Sequence, residues 1–163
     1  MTLFHQASAA VLLVILTLGL QCAGIGLLIE WLRRAVVPQI GRFGPVRSVV
    51  WVLQSSIAII VLHGLAILLW SCFYRSLCFP TWELAFYFSA ASYSTVGYGD
   101  VVLPGHWRLL APLESITGVL MCGVSVCVLF ALITRLVESD PRHSREPMEV
   151  APAPFAIQKN LRI

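Results

Sequence analysis

A six-residue run with glycines at alternate positions is the part of this sequence best suited to a specific chemistry, and it reads Thr95-Val96-Gly97-Tyr98-Gly99-Asp100. Binding a dehydrated cation such as K⁺ requires successive backbone carbonyls that all face one narrow path. Ordinary L-residues in a helix or strand cannot arrange this, whereas glycine adopts left-handed dihedrals without steric cost. The run therefore predicts a cation site formed by the backbone carbonyls of Thr95, Val96, Gly97 and Tyr98.

The side chains of the run fit the same chemistry. Val96 and Tyr98 would point away from the path and pack against a neighbouring element. The Thr95 hydroxyl would add a ligand at the inner end, and Asp100 would place negative charge where cations enter. In a soluble protein, however, Gly-Tyr-Gly-Asp usually forms a turn, so the flanking elements must decide between these interpretations.

The composition of the chain excludes most soluble classes. Of its 163 residues 58% are hydrophobic and 12% are charged, against roughly a quarter charged in a typical soluble domain. Mean hydropathy is +0.85. No formal charge precedes Glu30 or lies between Arg47 and Arg75. These features argue against a soluble enzyme, a nucleic-acid binder and a secreted disulfide scaffold, and they predict a membrane protein.

Four apolar stretches define the elements that would position the run. Three are long enough to cross a hydrocarbon core, which needs about 20 helical residues. They are an N-terminal helix within 1–34, a helix over 48–74 and a helix over 108–136. The fourth, 80–94, is too short to span and is typical of a re-entrant helix. The predicted fold class is an all-α membrane protein with three transmembrane helices and one re-entrant helix.

The first apolar stretch has an alternative interpretation as a signal peptide. No Lys or Arg precedes it, and it is longer than the usual hydrophobic region of a signal. We therefore expect a retained transmembrane helix, whose role is the least explained part of the chain.

Arginine placement predicts the orientation. Four arginines and no acid lie in or beside the link between the first two spans, which we assign to 35–47: Arg33, Arg34, Arg42 and Arg47. Such a link is expected to be cytoplasmic. Prolines and glycines should break any continuous helix there. The N-terminus would then lie outside, and 137–163, which is polar and proline-rich, would form a disordered cytoplasmic tail.

The run in this setting resembles the selectivity filter of the potassium channel pore-loop family. The likeness is to small prokaryotic channels with an outer helix, a pore helix, a filter and an inner helix, and it covers about Val46–Arg135. It implies a pore domain over 48–136, with outer helix 48–74, pore helix 80–94, filter 95–100 and inner helix 108–136. It also implies ion binding at Thr95, Val96, Gly97, Tyr98 and Gly99, with Asp100 at the pore mouth.

The resemblance also implies an assembly and a function. One chain supplies one filter strand whereas the family's filter takes four, so a homotetramer is expected. It would conduct K⁺ passively across the plasma membrane, in contact with lipid. We expect no cofactor, nucleic acid or small-molecule substrate and no enzymatic activity. The alternatives are a less selective channel that also passes Na⁺, a non-conducting accessory subunit that co-assembles with other channel subunits and, more distantly, a membrane-bound enzyme.

Residues of the pore helix support this interpretation. Thr81 and Glu83 suit a helical first turn through capping and charge. Tyr87 and Phe88 lie where the family commonly has an aromatic pair that braces the filter. Some relatives carry a glutamate four residues before the filter threonine, but this chain has Ala91 there, so a carboxyl pair with the mouth aspartate is not expected from that position.

Two glycines and two titratable residues inside the spans have open roles. Gly118 and Gly123 are candidate gating hinges on the inner helix, although glycine in membrane helices equally permits close packing. Glu114 is expected to bond the pore helix or loop from behind, with proton-linked gating as the alternative. His63 is expected to be a neutral histidine bonded to a neighbour, with the same alternative.

The cysteines do not form a metal-binding pattern. Cys122 and Cys127 are five residues apart on one helix and so face different ways. Cys72 and Cys78 lie near the predicted outer surface, where a disulfide could form in an oxidising compartment. The sequence leaves that pairing open.

Overall fold

The computed structural model describes residues 3–36, 38 and 45–138. Four α-helices dominate it: α1 (Leu3–Trp31), α2 (Pro45–Leu77), α3 (Trp82–Tyr93) and α4 (Leu110–Glu138). Short helical turns follow α1 at Leu32–Val36 and precede α4 at Gly105–Trp107. Three segments are long and apolar enough to cross a membrane: Gln6–Ala35, Val46–Leu77 and Gly105–Glu138. The predicted all-α membrane fold, with three spans and a short fourth helix, is confirmed.

The helix ends differ from the predicted ones by two or three residues. α2 extends three residues beyond 48–74 at each end, and it begins at Pro45. This proline was expected to break the helix. Proline instead suits a first helical turn, where its missing N–H would have no partner in any case. The inner helix was predicted at 108–136 and lies at Leu110–Glu138. Most of the predicted link 35–47 and tail 137–163 lies outside the described residues.

α1 packs lengthwise against the rest of the bundle and contacts both α2 and α4. It lies close to α2 at Gly24, where an added Cβ would overlap the side chain of Leu62. Near its end, Arg34 Nε donates to Glu30 Oε1 at 2.5 Å, an exposed pair one turn apart. Such a pair stabilises the helix only slightly.

An aromatic core fixes α3 against α2. Tyr74 is completely buried, and its ring meets Phe88 edge-on at 5.1 Å between centroids. Phe73 meets Trp107 edge-on at 5.2 Å, which attaches the segment after the hexapeptide to the same core. The core combines residues of every helix and of this segment: Ala10, Leu13, Trp70, Tyr74, Ala85, Phe88, Leu103, Trp107 and Leu110. Through Ala85 and Phe88, this core fixes α3 relative to the other helices.

Large apolar side chains cover the outside of the spans. Ile60 of α2 is 69% exposed and Ile116 of α4 is 66% exposed. Such surface on helices of this length suits hydrocarbon rather than water.

Candidate functional site

α3 begins with the cap that its sequence predicts. Thr81 has extended backbone dihedrals, and its Oγ1 accepts a hydrogen bond of 3.3 Å from the N–H of Leu84. Glu83 lies in the first turn, where a negative charge complements the helix dipole. The helix therefore begins at Trp82, two residues later than the predicted 80–94, and ends at Tyr93.

The hexapeptide is fastened to the last turn of α3 through backbone amides. The N–H of Thr95 donates to Ser92 O at 3.0 Å, and the N–H of Gly97 donates to Ala91 O at 3.1 Å. These bonds satisfy carbonyls that a helix end would otherwise leave unpaired. As a result, any shift of this turn is transmitted directly to the hexapeptide backbone.

The hexapeptide has left-handed dihedrals at every second residue. The φ angles are 62° at Thr95, 54° at Gly97 and 77° at Gly99. The glycine dihedrals agree with the sequence expectation, whereas that of Thr95 was missed. A β-branched residue rarely takes a positive φ, so its surroundings must enforce it. The alternation thus runs over one more residue than the glycines alone indicate.

The exposed surfaces of the hexapeptide suit contact with an ion or a second chain. Residues 94–100 are all exposed. Within the described part of the chain, the carbonyl oxygens of 95–98 accept no hydrogen bond. Val96 is 52% exposed and Tyr98 71%. The packing expected of these side chains is therefore only partly provided by their own chain.

Tyr87 braces the hexapeptide at its far end. Its hydroxyl donates to Asp100 Oδ2 at 2.8 Å, and its ring stacks on Tyr98 at 6.4 Å with an angle of 9°. The second oxygen, Oδ1, accepts from the Val101 N–H at 3.0 Å. The bond to Asp100 raises the pKa of the Tyr87 phenol. Phe88 does not share this bracing role within the chain, since it packs into the aromatic core.

Glu114 bonds α4 to α2 and α3. The carboxyl group is fully buried, and it accepts from Tyr74 Oη at 2.8 Å and from Ser89 Oγ at 2.5 Å. Ser89 Oγ also lies 3.0 Å from Ile67 O. One carboxyl thus joins α2, α3 and α4, and no cation contacts it among the described residues.

His63 is also bonded to its neighbours. Its Nδ1 lies 3.0 Å from Tyr93 Oη, and its Nε2 lies 3.0 Å from Ser125 Oγ. The imidazole is half-buried. It joins the last residue of α3 to the middle of α4.

The two candidate hinge glycines have different surroundings. A Cβ at Gly118 would overlap the carbonyl oxygen of Tyr93, whereas one at Gly123 would meet nothing within 4 Å. Nearby, Ser115 Oγ donates to Ser92 O at 2.7 Å. The absence of a side chain at Gly118 therefore lets the α4 backbone lie close to the end of α3, and α4 continues as a helix through both glycines.

The cysteines of the described segments are free thiols. Cys72 is exposed and Cys78 is half-buried, and no disulfide joins them in the structure. Burial raises the pKa of the Cys78 thiol to about 11. No cluster of His, Cys, Asp or Glu suited to a metal ion occurs in the described ranges.

Comparison with protein families identifies the segment that contains this site. Residues 56–135 match the family described as ion channel. These matched residues are therefore similar to an ion channel, and we call them the ion-channel segment. Curated proteins and solved structures gave no significant match. The ion-channel segment begins inside α2 and ends inside α4, so it contains α3 and the hexapeptide but not α1.

Several residues of the ion-channel segment that bond between helices were not identified from the sequence. Tyr74, Ser89, Tyr93, Ser115 and Ser125 all bond between helices. The signal that could have found them is polarity, because hydroxyl groups within membrane spans seek partners on neighbouring helices.

Proposed function

We propose that this chain is the subunit of a K⁺-selective channel that conducts K⁺ passively across the membrane. The observation that carries the proposal is the alternation of left-handed dihedrals at Thr95, Gly97 and Gly99. It occurs directly after a capped half-length helix, between two spans, within an ion-channel segment. Backbone that alternates in this way can present successive carbonyls to one path.

In this proposal, each residue of the hexapeptide has a separate role. The carbonyls of Thr95, Val96, Gly97 and Tyr98 replace the hydration shell of K⁺, with the Thr95 hydroxyl at the inner end. Gly99 completes the alternation, and Asp100 attracts cations to the mouth. α3 directs the negative end of its dipole toward the inner end of the filter. The intact Tyr98 and both glycines favour K⁺ selectivity over a pore that also passes Na⁺.

A working pore in this proposal is a homotetramer with cyclic symmetry. One chain contributes one filter strand, and residues 94–100 are exposed in the single chain, which supports burial of this surface among four copies. The tetramer would lie in the plasma membrane, with the arginine-rich link and the C-terminus in the cytoplasm.

The test is cation flux from liposomes that contain only the purified protein. Flux that occurs with K⁺, fails with Na⁺ and is blocked by Ba²⁺ is the expected result. Gly97→Ala should abolish it, because an L side chain is strained at a φ of 54°. Gly105→Ala is the matched control, since a Cβ there meets nothing within 4 Å. A folded wild-type tetramer without flux would favour the non-conducting accessory subunit, and equal K⁺ and Na⁺ flux the less selective channel.

A further inference from the structure

α1 lies outside the ion-channel segment, yet polar side chains join its buried face to that segment. Trp70 Nε1 of α2 donates to Thr17 Oγ1 at 2.9 Å. Gln21 Nε2 donates to Ser125 Oγ of α4 at 3.3 Å, and Gln21 is 1% exposed. A helix that served only as an anchor would need no buried amide, because an amide is costly to bury in hydrocarbon without partners.

The bond from Gln21 is the first link of a chain that reaches the filter. Ser125 Oγ lies 3.0 Å from His63 Nε2, and His63 Nδ1 lies 3.0 Å from Tyr93 Oη. Ser125 and Tyr93 are both 3% exposed. The chain Gln21–Ser125–His63–Tyr93 therefore crosses all four helices, with one side chain from each.

Donors and acceptors match along this chain when the imidazole is neutral. In one direction Gln21 donates to Ser125, Ser125 donates to His63 Nε2, and Nδ1–H donates to Tyr93 Oη. Gln21 Oε1 is then buried with no protein partner. In the opposite direction, Tyr93 Oη donates to His63 Nδ1, and His63 Nε2–H donates to Ser125 Oγ. Ser125 then donates to Gln21 Oε1, which requires the Gln21 amide to be turned over. In both directions each of the four side chains has a neighbour with which it can bond.

The end of this chain is attached to the filter backbone. Tyr93 is the last residue of α3, and the same turn receives the N–H groups of Thr95 and Gly97. The carbonyl oxygen of Tyr93 is in addition confined by Gly118 of α4. A displacement of the Tyr93 ring thus moves the turn that holds the filter carbonyls.

We infer that Gln21 and His63 are positioning residues for the filter, so that α1 takes part in setting ion selectivity. This rests on the proposed function, since it assigns these residues to the same filter. Breaking the chain should lower selectivity in each channel, whereas loss of a mere anchor would change only the number of assembled channels.

The test measures the Na⁺/K⁺ permeability ratio from reversal potentials in planar bilayers, a quantity that does not depend on channel number. Gln21→Leu and Ser125→Ala should each raise the ratio about three-fold, as expected for one intramembrane hydrogen bond. Thr17→Val is the matched control, because it removes the α1 bond to Trp70 but leaves the chain intact. It should not change the ratio.

A double variant separates positioning from general disturbance. Tyr93→Phe removes the hydroxyl at the filter end, so Gln21→Leu should have no further effect on the ratio in that background. Unchanged ratios in Gln21→Leu and Ser125→Ala, with a K⁺-selective wild type, would overturn the inference. Equal effects of Thr17→Val and Gln21→Leu would do the same. A wild type without K⁺ selectivity would instead overturn the proposed function.

Discussion

Replacing Gly118 with alanine tests the close contact between α4 and the end of α3. The new Cβ would overlap the Tyr93 carbonyl oxygen, with the carbonyl carbon at 3.0 Å and Cγ of the ring at 3.2 Å. An oxygen of the backbone cannot rotate away as the end of a flexible side chain can. The substitution must therefore separate α4 from the turn that holds the hexapeptide.

The expected cost follows from two opposing effects. Overpacking in a close-packed interior costs about 1–3 kcal/mol, with the upper part of that range expected against backbone. Alanine regains up to about 1 kcal/mol through its better helix propensity. The net loss is about 1–2 kcal/mol, which corresponds to a 5- to 30-fold change in the folding equilibrium.

Thermal denaturation of the purified protein in detergent measures this loss, with Gly123→Ala as the matched control. At about 2–4 °C per kcal/mol for a chain of this size, Gly118→Ala should lower Tm by roughly 2–8 °C. Gly123→Ala should leave Tm unchanged or raise it, since its Cβ meets nothing within 4 Å.

Two results would refute the packing argument. Equal Tm values for the two variants would show that α4 does not approach Tyr93 at Gly118. A normal Tm combined with a reduced K⁺ flux in Gly118→Ala would instead favour the hinge role for this glycine.

Three further predictions concern the surroundings of the filter. The pKa of Tyr87 is raised by its bond to Asp100, so the bond persists through the ordinary tyrosine range and is lost as pH rises through the raised pKa. K⁺ flux should fall there in the wild type, whereas Tyr87→Phe should already be impaired at neutral pH and lack that step. Glu114→Gln should retain wild-type Tm in detergent, because its amide can accept from Tyr74 and donate to Ser89, whereas Glu114→Leu should be destabilised by about 1–3 kcal/mol; equal Tm values would contradict this. Maleimide should label Cys78 more slowly than the exposed Cys72 at neutral pH, because burial raises the pKa of the Cys78 thiol to about 11, and equal labelling rates would contradict its burial.

The fold was largely predictable because each apolar stretch has a length that the bilayer fixes. Stretches of about 20 residues or more became α1, α2 and α4, and the shorter one became α3. Cap chemistry identified Thr81 and Glu83 as part of the first turn of α3, although the predicted helix 80–94 began two residues too early. The predicted ends of the long helices were less accurate, since an apolar run does not indicate how far a helix continues into the polar boundary. Pro45 was expected to break the helix, but it lies in the first turn of α2.

The backbone of the site was also largely predictable, but its support was not. The glycines at 97 and 99 indicated the alternation, because glycine is the residue for which a positive φ is free of strain. Thr95 carries no such signal, and its dihedral depends on the bonds that tie the hexapeptide to α3. Phe88 was expected to brace the filter together with Tyr87, yet it lies on the face of α3 that packs into the aromatic core.

Most contacts between helices, other than those of Glu114 and His63, were not predicted, for a reason particular to membranes. Apolar residues face both the core and the lipid, so apolar periodicity does not reveal which face of a span is buried. The spacing of polar residues can indicate which face is buried. In α1, Thr17 and Gln21 lie 11 and 15 residues after Gln6. At 3.6 residues per turn, this spacing places the three side chains within about 60° of one another around the helix axis. All three are buried, at 9%, 0% and 1% exposure. In α1 the buried polar residues, unlike the exposed Ser8 near its start, thus mark the packed face, and through Gln21 that face bonds to Ser125 of α4.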